Sequence, residues 1–195
     1  MSYLDSIRFY IEFRIETSYD FSYHTTLAAL FYKIHCSLVE TDVQCGLSFP
    51  AYSTKGLGAI LRLHGSKDDL YKVKDVLNTT GLKDHLQCSD ILEIPEEVKF
   101  AIFKRERFLD KSAIRRLSKR QELRKSGIKP QFEPKGFDLK RTKPPYLIYH
   151  SASTGEQLSF FIKKEDFNTK SMGLEKARFN KFGLSSDNAS YVPIF

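Results

Sequence analysis

Apolar and polar residues alternate without interruption over residues 7–15, which is the pattern of a half-buried β-strand. Over residues 23–39 the apolar residues instead recur every three or four positions, as on one face of an amphipathic helix. That face holds Leu27, Leu30, Phe31, Ile34 and Leu38. Asp20 and Ser22 precede it and are typical helix-start residues, so we expect a strand followed by a helix.

Four further elements are predicted before residue 98. Residues 44–49 and 59–64 have the composition of short strands, separated by a loop rich in Gly, Ser and Thr. Ser66 is a suitable N-cap for a second helix, since two acidic residues follow in the first turn, and a last strand is expected within 82–94. The resulting β-α-β-β-α-β order is that of a ferredoxin-like domain, a fold that RNA binders, enzymes and metabolite sensors share.

After residue 98 the pattern changes. A short strand over 100–103 leads to a basic helix over 112–125, and a loop with four Pro and two Gly follows at 126–145. Apolar runs at 146–150 and 158–162 enclose a small-residue turn and predict a β-hairpin. We therefore predict an α+β chain with a ferredoxin-like (RRM-like) domain over 1–98 and a smaller domain over 99–195, which contains the Arg-rich helix and the hairpin.

The charge of the chain is divided unequally between these two halves. Residues 1–98 carry 9 basic and 14 acidic residues, a net charge of −5, whereas residues 99–195 carry 22 basic and 10 acidic residues, a net charge of +12. Such an asymmetry favours a nucleic-acid partner for the second half. Membrane binding is disfavoured, because the basic segment lacks a large apolar face and no run approaches eighteen apolar residues.

The cysteines and histidines predict neither a disulfide framework nor a metal site. The three Cys form no CxxC motif, and with the five His they make no recognisable metal-ligand spacing. The first residues also lack the charged-then-apolar pattern of a signal peptide. We therefore expect a reduced, cytoplasmic protein without a cofactor.

The basic helix is the strongest candidate for binding a polyanion. It contains no Gly or Pro over 112–125, and Arg116, Arg120 and Arg124 recur every four residues on one face, which Arg115 and Lys119 extend. Like charges at this spacing repel by a few tenths of a kcal/mol per pair. A helix that tolerates this repulsion is either a solvated surface helix or one that holds its charges for phosphates.

Two residues are candidates for proton transfer and charge stabilisation. His35 lies about 80° from the centre of the apolar stripe of its helix, at the rim of the buried face, where a histidine can exchange protons near neutral pH. The alternative is a rim histidine satisfied by a backbone carbonyl. Ser151 lies in the turn of the predicted hairpin, where serines also serve local hydrogen bonding.

RNA would permit cleavage without a metal. If the basic half binds RNA and no carboxylate cluster holds a metal ion, the 2′-hydroxyl of the RNA is the available nucleophile. A histidine then takes that proton or protonates the leaving 5′-oxygen, and a serine or a cation stabilises charge on the phosphate. His35, Ser151 and the Arg-rich face would supply these groups.

Seven motifs together resemble a known family. They are ALFYKIH (29–35), GLSFP (46–50), LRLHGSKDDL (61–70), GLKDHLQ (81–87), the Arg-rich helix (112–125), STG (153–155) and GLS…YVPIF (183–195). In this order and spacing the chain resembles the CRISPR-associated repeat-processing endoribonucleases of the I-F subtype. No single motif is specific, but the seven extend over nearly the whole chain.

The resemblance implies an enzyme that binds the stem-loop of CRISPR repeat RNA and cleaves at its 3′ base. It implies attack by the 2′-hydroxyl without a metal, a 2′,3′-cyclic phosphate product, and retention of the enzyme on the guide RNA as a subunit of the type I-F surveillance complex. A non-catalytic subunit that only binds the RNA hairpin is the alternative. The basic half agrees with both, and only His35 with Ser151 distinguishes them.

The resemblance also assigns individual residues. It places the catalytic histidine on His35 in the first domain and the active-site serine on Ser151. The residues that it implies for RNA binding are Arg105, Arg107, Arg115, Arg116, Lys119, Arg120 and Arg124.

Three positions depart from the family pattern. Phe182 stands where the family often has a tyrosine, and Leu158 stands where an aromatic residue stacks on the base of the stem. Arg107 replaces a frequent glutamine, and this changes the preferred contact from adenine to guanine. We expect these departures to alter base recognition more than activity.

Overall fold

The computed structural model describes residues 3–16, 22–106, 143–150, 155, 157–167, 177–186 and 190–195. The predicted Arg-rich helix at 112–125 and the hairpin turn at 151–154 lie outside the described residues.

The first half of the chain forms an antiparallel sheet covered by two helices. Its elements are β1 (Phe9–Ile15), α1 (Tyr23–Thr41), β2 (Gly46–Ser48), β3 (Ile60–Gly65), α2 (Lys67–Val76), β4 (Leu86–Cys88) and β5 (Leu92–Glu93). The strand order is β2-β3-β1-β4, and β5 also pairs with β1. This is a ferredoxin-like domain, as predicted. The predicted last strand is divided into two short strands, and the first strand begins at Phe9 because Asp5–Ile7 form a 3-10 turn.

The two predicted apolar patterns supply the core of this half. Ile11 and Phe13 on β1 are fully buried, and so are Leu27, Leu30 and Ile34 on α1. The second helix begins as predicted, because the Ser66 side chain accepts a hydrogen bond from the Asp69 backbone N–H. The local signals therefore placed both helices correctly.

The second sheet is built from β6 (Lys99–Glu106), β7 (Tyr146–His150), β8 (Gln157–Asp166) and β9 (Val192–Ile194). The strand order is β7-β8-β6-β9, with every pair antiparallel. The predicted hairpin is confirmed as β7 and β8. Both β6 and β8 are longer than predicted, since charged residues continue them beyond their apolar segments.

The two halves of the chain meet along β2. The Leu47 N–H donates to the Gly183 carbonyl over 2.7 Å, and a Cβ on Gly46 would lie 2.5 Å from Val192 of β9. Buried residues of both halves belong to one hydrophobic cluster. The division of the chain at residue 98 stays a prediction.

Among the described residues, no helix is both long enough and apolar enough to cross a membrane.

A buried histidine in the first sheet makes the stability of the fold sensitive to acid. His64 on β3 is fully buried, and its Nε2 lies 2.8 Å from the Ser48 Oγ of β2. Its Nδ1 has no hydrogen-bond partner among the described residues. Burial first, and the nearby Arg62 charge second, lower the pKa of His64 to about 3.

We expect the free energy of unfolding to fall by about 2 kcal/mol between pH 7 and pH 5 because of His64. In the unfolded chain a histidine binds a proton with a pKa near 6.5, whereas folded His64 stays neutral, so the unfolded state takes up more protons throughout this window. Urea unfolding followed by tyrosine fluorescence at several pH values measures the loss. His64→Gln removes the titration and is expected to flatten the profile. An equally steep profile in this variant would contradict the prediction.

Candidate active site around His35

His35 lies at the rim of the buried face of α1, as its position on the helix predicts. Phe31 and Ile34 on the preceding turn are buried in the core, whereas His35 itself is half-buried. The imidazole is therefore held by the protein on one side and accessible from the other. This environment suits a group that must exchange a proton with a bound substrate.

One ring nitrogen of His35 is held by the backbone. Nδ1 lies 2.7 Å from the carbonyl oxygen of Lys181. A carbonyl oxygen only accepts hydrogen bonds, so Nδ1 carries the proton and Nε2 of the neutral ring has a free lone pair. The carbonyl contact that was the structural alternative for His35 is thus present, and it uses only one of the two ring nitrogens.

The plane of the imidazole is set by Phe182. The two ring centroids are 3.9 Å apart and the planes differ by 9°. Phe182 in turn stacks on Phe31 at 5.6 Å and packs against Phe160 at 4.8 Å. We call Phe31, Phe160 and Phe182 the aromatic cluster. Through Phe182, this cluster supports one face of the His35 ring.

The turn that carries Lys181 and Phe182 is itself tightly held. The Asn180 side-chain oxygen accepts hydrogen bonds from the N–H groups of Phe182 and Leu184. Gly183 has a φ of +69°, and a Cβ there would lie 2.7 Å from the Leu47 side chain. A glycine is required at this position because the backbone is left-handed and approaches β2 closely.

An ion pair ties the same turn to the end of α1. The Lys181 ammonium contacts the Asp42 carboxylate and lies 3.5 Å from the Leu38 carbonyl oxygen. The hydrogen bond and the charge of Lys181 hold the pKa of Asp42 below its ordinary value. The helix that bears His35 and the turn that orients it are thus joined at two points.

Arg105 contacts the aromatic cluster at Phe160. It is exposed on β6, and its guanidinium carbon lies 4.6 Å from the centre of the Phe160 ring. Arg105 has no carboxylate partner among the described residues, whereas the neighbouring Lys104 and Lys163 both pair with Glu165. The hydrogen bonds from Lys104 and Lys163 hold the pKa of Glu165 below its ordinary value, so this carboxylate stays ionised between the two lysines, while Arg105 is available for an anion.

A family described as CRISPR-associated protein (Cas_Csy4) matches residues 10–195. The chain belongs to this family. The CRISPR-associated endonuclease Cas6/Csy4 of Escherichia coli (strain UTI89 / UPEC) is 30% identical over 181 residues, which cover 91% of this chain and 95% of that protein. The protein of the same name from Pseudomonas aeruginosa (strain UCBPP-PA14) is 28% identical over 194 residues, or 95% and 98% of the two chains.

The family resemblance seen in the seven motifs is therefore confirmed. In this Csy4-family protein the structure brings His35, Phe182 and Arg105 around one aromatic cluster. Ser151 directly follows β7 and lies outside the described residues. Also outside the described residues are Arg107, Arg115, Arg116, Lys119, Arg120 and Arg124. The roles of these residues stay predictions.

Two parts of this Csy4-family site were missed by the sequence reasoning. The Lys181 carbonyl is a backbone group, so no residue type signals it. Phe160 follows the departing position Leu158 by two residues, and its ring contacts both Arg105 and Phe182. Among the described residues, His, Cys, Asp and Glu form no group of three that could hold a metal ion.

Proposed function

We propose that this protein is an endoribonuclease that binds the stem-loop of CRISPR repeat RNA and cleaves at the 3′ base of the stem. The relatives from Escherichia coli and Pseudomonas aeruginosa are CRISPR-associated endonucleases, and they match this chain over almost its full length. The predicted enzyme class, an endonuclease, is thereby confirmed. The RNA substrate, the mechanism and the residue roles are our proposal.

The observation that carries the proposed mechanism is the geometry of His35. Its Nδ1 is committed to the Lys181 carbonyl, and its ring is fixed against Phe182, so the direction of Nε2 is defined. Such a nitrogen takes the proton of a 2′-hydroxyl or, once protonated, donates one to the 5′-oxygen leaving group. One positioned imidazole is sufficient for either role.

The electrostatic part of the reaction is assigned to Arg105 and Ser151. As the 2′-oxygen attacks the adjacent phosphorus, the bond to the 5′-oxygen breaks and negative charge builds up on the phosphate oxygens. A guanidinium or a hydroxyl close to these oxygens lowers the energy of this state. Ring closure by the 2′-oxygen leaves a 2′,3′-cyclic phosphate on the hairpin product and a 5′-hydroxyl on the downstream RNA. No step requires a metal ion.

Binding of the hairpin is assigned to the basic half of the chain. Arg105 and Arg107 are proposed to contact the base of the stem, and Arg115, Arg116, Lys119, Arg120 and Arg124 to contact its phosphates and bases. These contacts lie along the stem and not on the strand that leaves. Since they are unchanged by cleavage, the enzyme is expected to stay on the mature guide RNA and to join the type I-F surveillance complex with it.

The proposal is tested with a cognate repeat hairpin incubated with the protein in EDTA. We expect cleavage of the all-ribose RNA and no detectable cleavage when the nucleotide before the cut carries a 2′-deoxyribose, because the nucleophile is then missing. The ends of the product are identified on a denaturing gel before and after phosphatase treatment.

Two results would overturn the proposal. Cleavage of the deoxy substrate would exclude attack by the 2′-hydroxyl. Tight binding of the all-ribose hairpin without any cleavage would identify the protein as a binding subunit only, which is the alternative that the basic half also permits.

A further inference from the structure

A cleft lies between the first three turns of α1 and the beginning of β7. Its volume is about 820 Å³, within the range of about 300–1,000 Å³ in which proteins bind small molecules. One wall is α1 and another is the segment 143–148, while the turn at 54–56 closes the end. The side chains that the argument uses are His24, Tyr32, Lys55, Lys143, Tyr146 and Gln157.

The charge of the cleft is positive. Lys55 and Lys143 are both exposed and contribute to different walls, and none of the described residues that line the cleft is acidic. This is unexpected for a cavity whose main wall is a helix of the acidic half of the chain. The lining therefore selects an anion over a neutral or cationic ligand.

The cleft also contains aromatic side chains with fixed positions. Tyr146 packs against Phe161 at 5.3 Å, and the Lys143 ammonium lies 4.0 Å from the centre of the Tyr146 ring. On the opposite wall, His24 packs on Tyr23 at 3.8 Å. Aromatic rings beside lysines are the combination by which proteins bind single-stranded nucleic acid, because bases stack on the rings and phosphates pair with the cations.

The cleft adjoins the site around His35. Tyr32 lines the cleft and lies one helical turn before His35, with the two ring centroids 6.3 Å apart. On the other wall, Gln157 pairs in register with His150, the residue immediately before Ser151. Both walls thus lead from the cleft to the positions proposed for catalysis.

We propose that this cleft binds the single-stranded RNA that continues on the 3′ side of the scissile phosphate. The inference rests on the proposed function. The nucleotide after the cut is bonded to the phosphate that His35 acts on, so it reaches the nearest cavity first, whereas the 5′ strand is separated from that phosphate by the width of the stem. After cleavage this segment is held by the cleft alone, so the cleft contributes to substrate binding and not to retention of the product.

The test compares the affinities of three uncleavable hairpins that carry a 2′-deoxyribose before the cut. One has a short single-stranded 3′ extension, one has the same extension on its 5′ side, and one has neither. Wild-type protein is expected to bind the 3′-extended RNA about tenfold more tightly than the others. The salt dependence of its affinity is expected to be steeper by about 0.7 for each lysine that contacts a phosphate.

The double variant Lys55→Ala, Lys143→Ala is expected to lose this advantage while it binds the hairpin without extensions as tightly as wild type. Lys72→Ala, an exposed lysine on α2, is the matched control and is expected to keep the advantage. An advantage for the 5′ extension, no advantage for either extension, or an advantage that survives in the double variant would each overturn the assignment.

The affinity test of the cleft can be interpreted whether or not the protein cleaves the all-ribose hairpin. Affinity is measured on RNA that cannot be cut, so a failure of the all-ribose hairpin to be cleaved would leave an extension effect readable. Conversely, a hairpin that is cleaved but bound equally with and without its 3′ extension would refute only the cleft.

Discussion

Replacement of His35 by Ala is expected to slow cleavage of the cognate hairpin by about 10²–10⁴-fold, the usual contribution of a positioned general acid or base. Affinity for the hairpin is expected to stay nearly the same, because the proposed binding residues lie in the basic half of the chain. Single-turnover cleavage at saturating protein and a separate binding titration measure the two effects.

A second substitution separates chemistry from structure at the same position. His35→Gln keeps a side-chain N–H that can donate to the Lys181 carbonyl, but it has no nitrogen that exchanges a proton near neutral pH. We expect this variant to be as slow as His35→Ala. If Gln restores the rate, or if either variant loses hairpin binding, His35 is a structural residue. His85→Ala, at a half-buried histidine in the 3-10 turn before β4, is the matched control.

Removal of the ring at position 182 is expected to have the next largest effect. Phe182→Ala takes away the surface on which the imidazole lies, and we expect the cleavage rate to fall by about tenfold to a hundredfold, since small displacements of a catalytic group cost rates of that order. Hairpin affinity is expected to change little. The rate is measured under the same single-turnover conditions as for His35.

Two further substitutions at position 182 test whether stacking or side-chain volume positions His35. Phe182→Tyr keeps the aromatic plane and is expected to cleave at nearly the wild-type rate. Phe182→Leu fills similar space without a planar face and is expected to behave more like Phe182→Ala. A Leu variant as active as wild type would show that volume, and not stacking, positions the histidine.

Phe182, which departs from the tyrosine expected in the family, keeps the aromatic ring that contacts His35. Many relatives are expected to have a tyrosine here, and its hydroxyl is absent in this chain. The part of the residue that contacts His35 is the face of the ring, and Phe182 retains it at 3.9 Å with nearly parallel planes. Any loss is therefore confined to what a phenol would add, such as a hydrogen bond to the RNA.

Much of the first domain could be predicted from local sequence. The alternation over 7–15 and the helical spacing over 23–39 gave β1 and α1 with only small errors at their ends, and Ser66 marked the beginning of α2. Periodicity is a property of neighbouring residues, so it needs no knowledge of the rest of the fold. Periodicity did not predict the division of the last strand into β4 and β5, where the pairing is short and irregular. It also predicted β6 and β8 too short, because charged residues continue these strands beyond their apolar segments.

The candidate site could be predicted only in part from the local sequence. The position of His35 at the rim of α1 followed from spacing on the helix, and Arg105 was implied as an RNA-binding residue only by the family resemblance. The contact between His35 and the Lys181 carbonyl joins residues 146 positions apart, and a backbone acceptor has no signature in the sequence. Likewise, the aromatic cluster combines rings from α1, β8 and the 180–184 turn.

The sequence by itself determined the order of the elements, the separation of acidic and basic halves, the family and the two proposed catalytic side chains. Each of these depends on residue type and on short-range spacing. The tertiary structure decided which nitrogen of His35 is held by the backbone, which ring holds its plane, and that a basic, aromatic cleft opens beside it. These depend on the packing of distant segments, because a side chain acquires a direction only when the residues that surround it are in place.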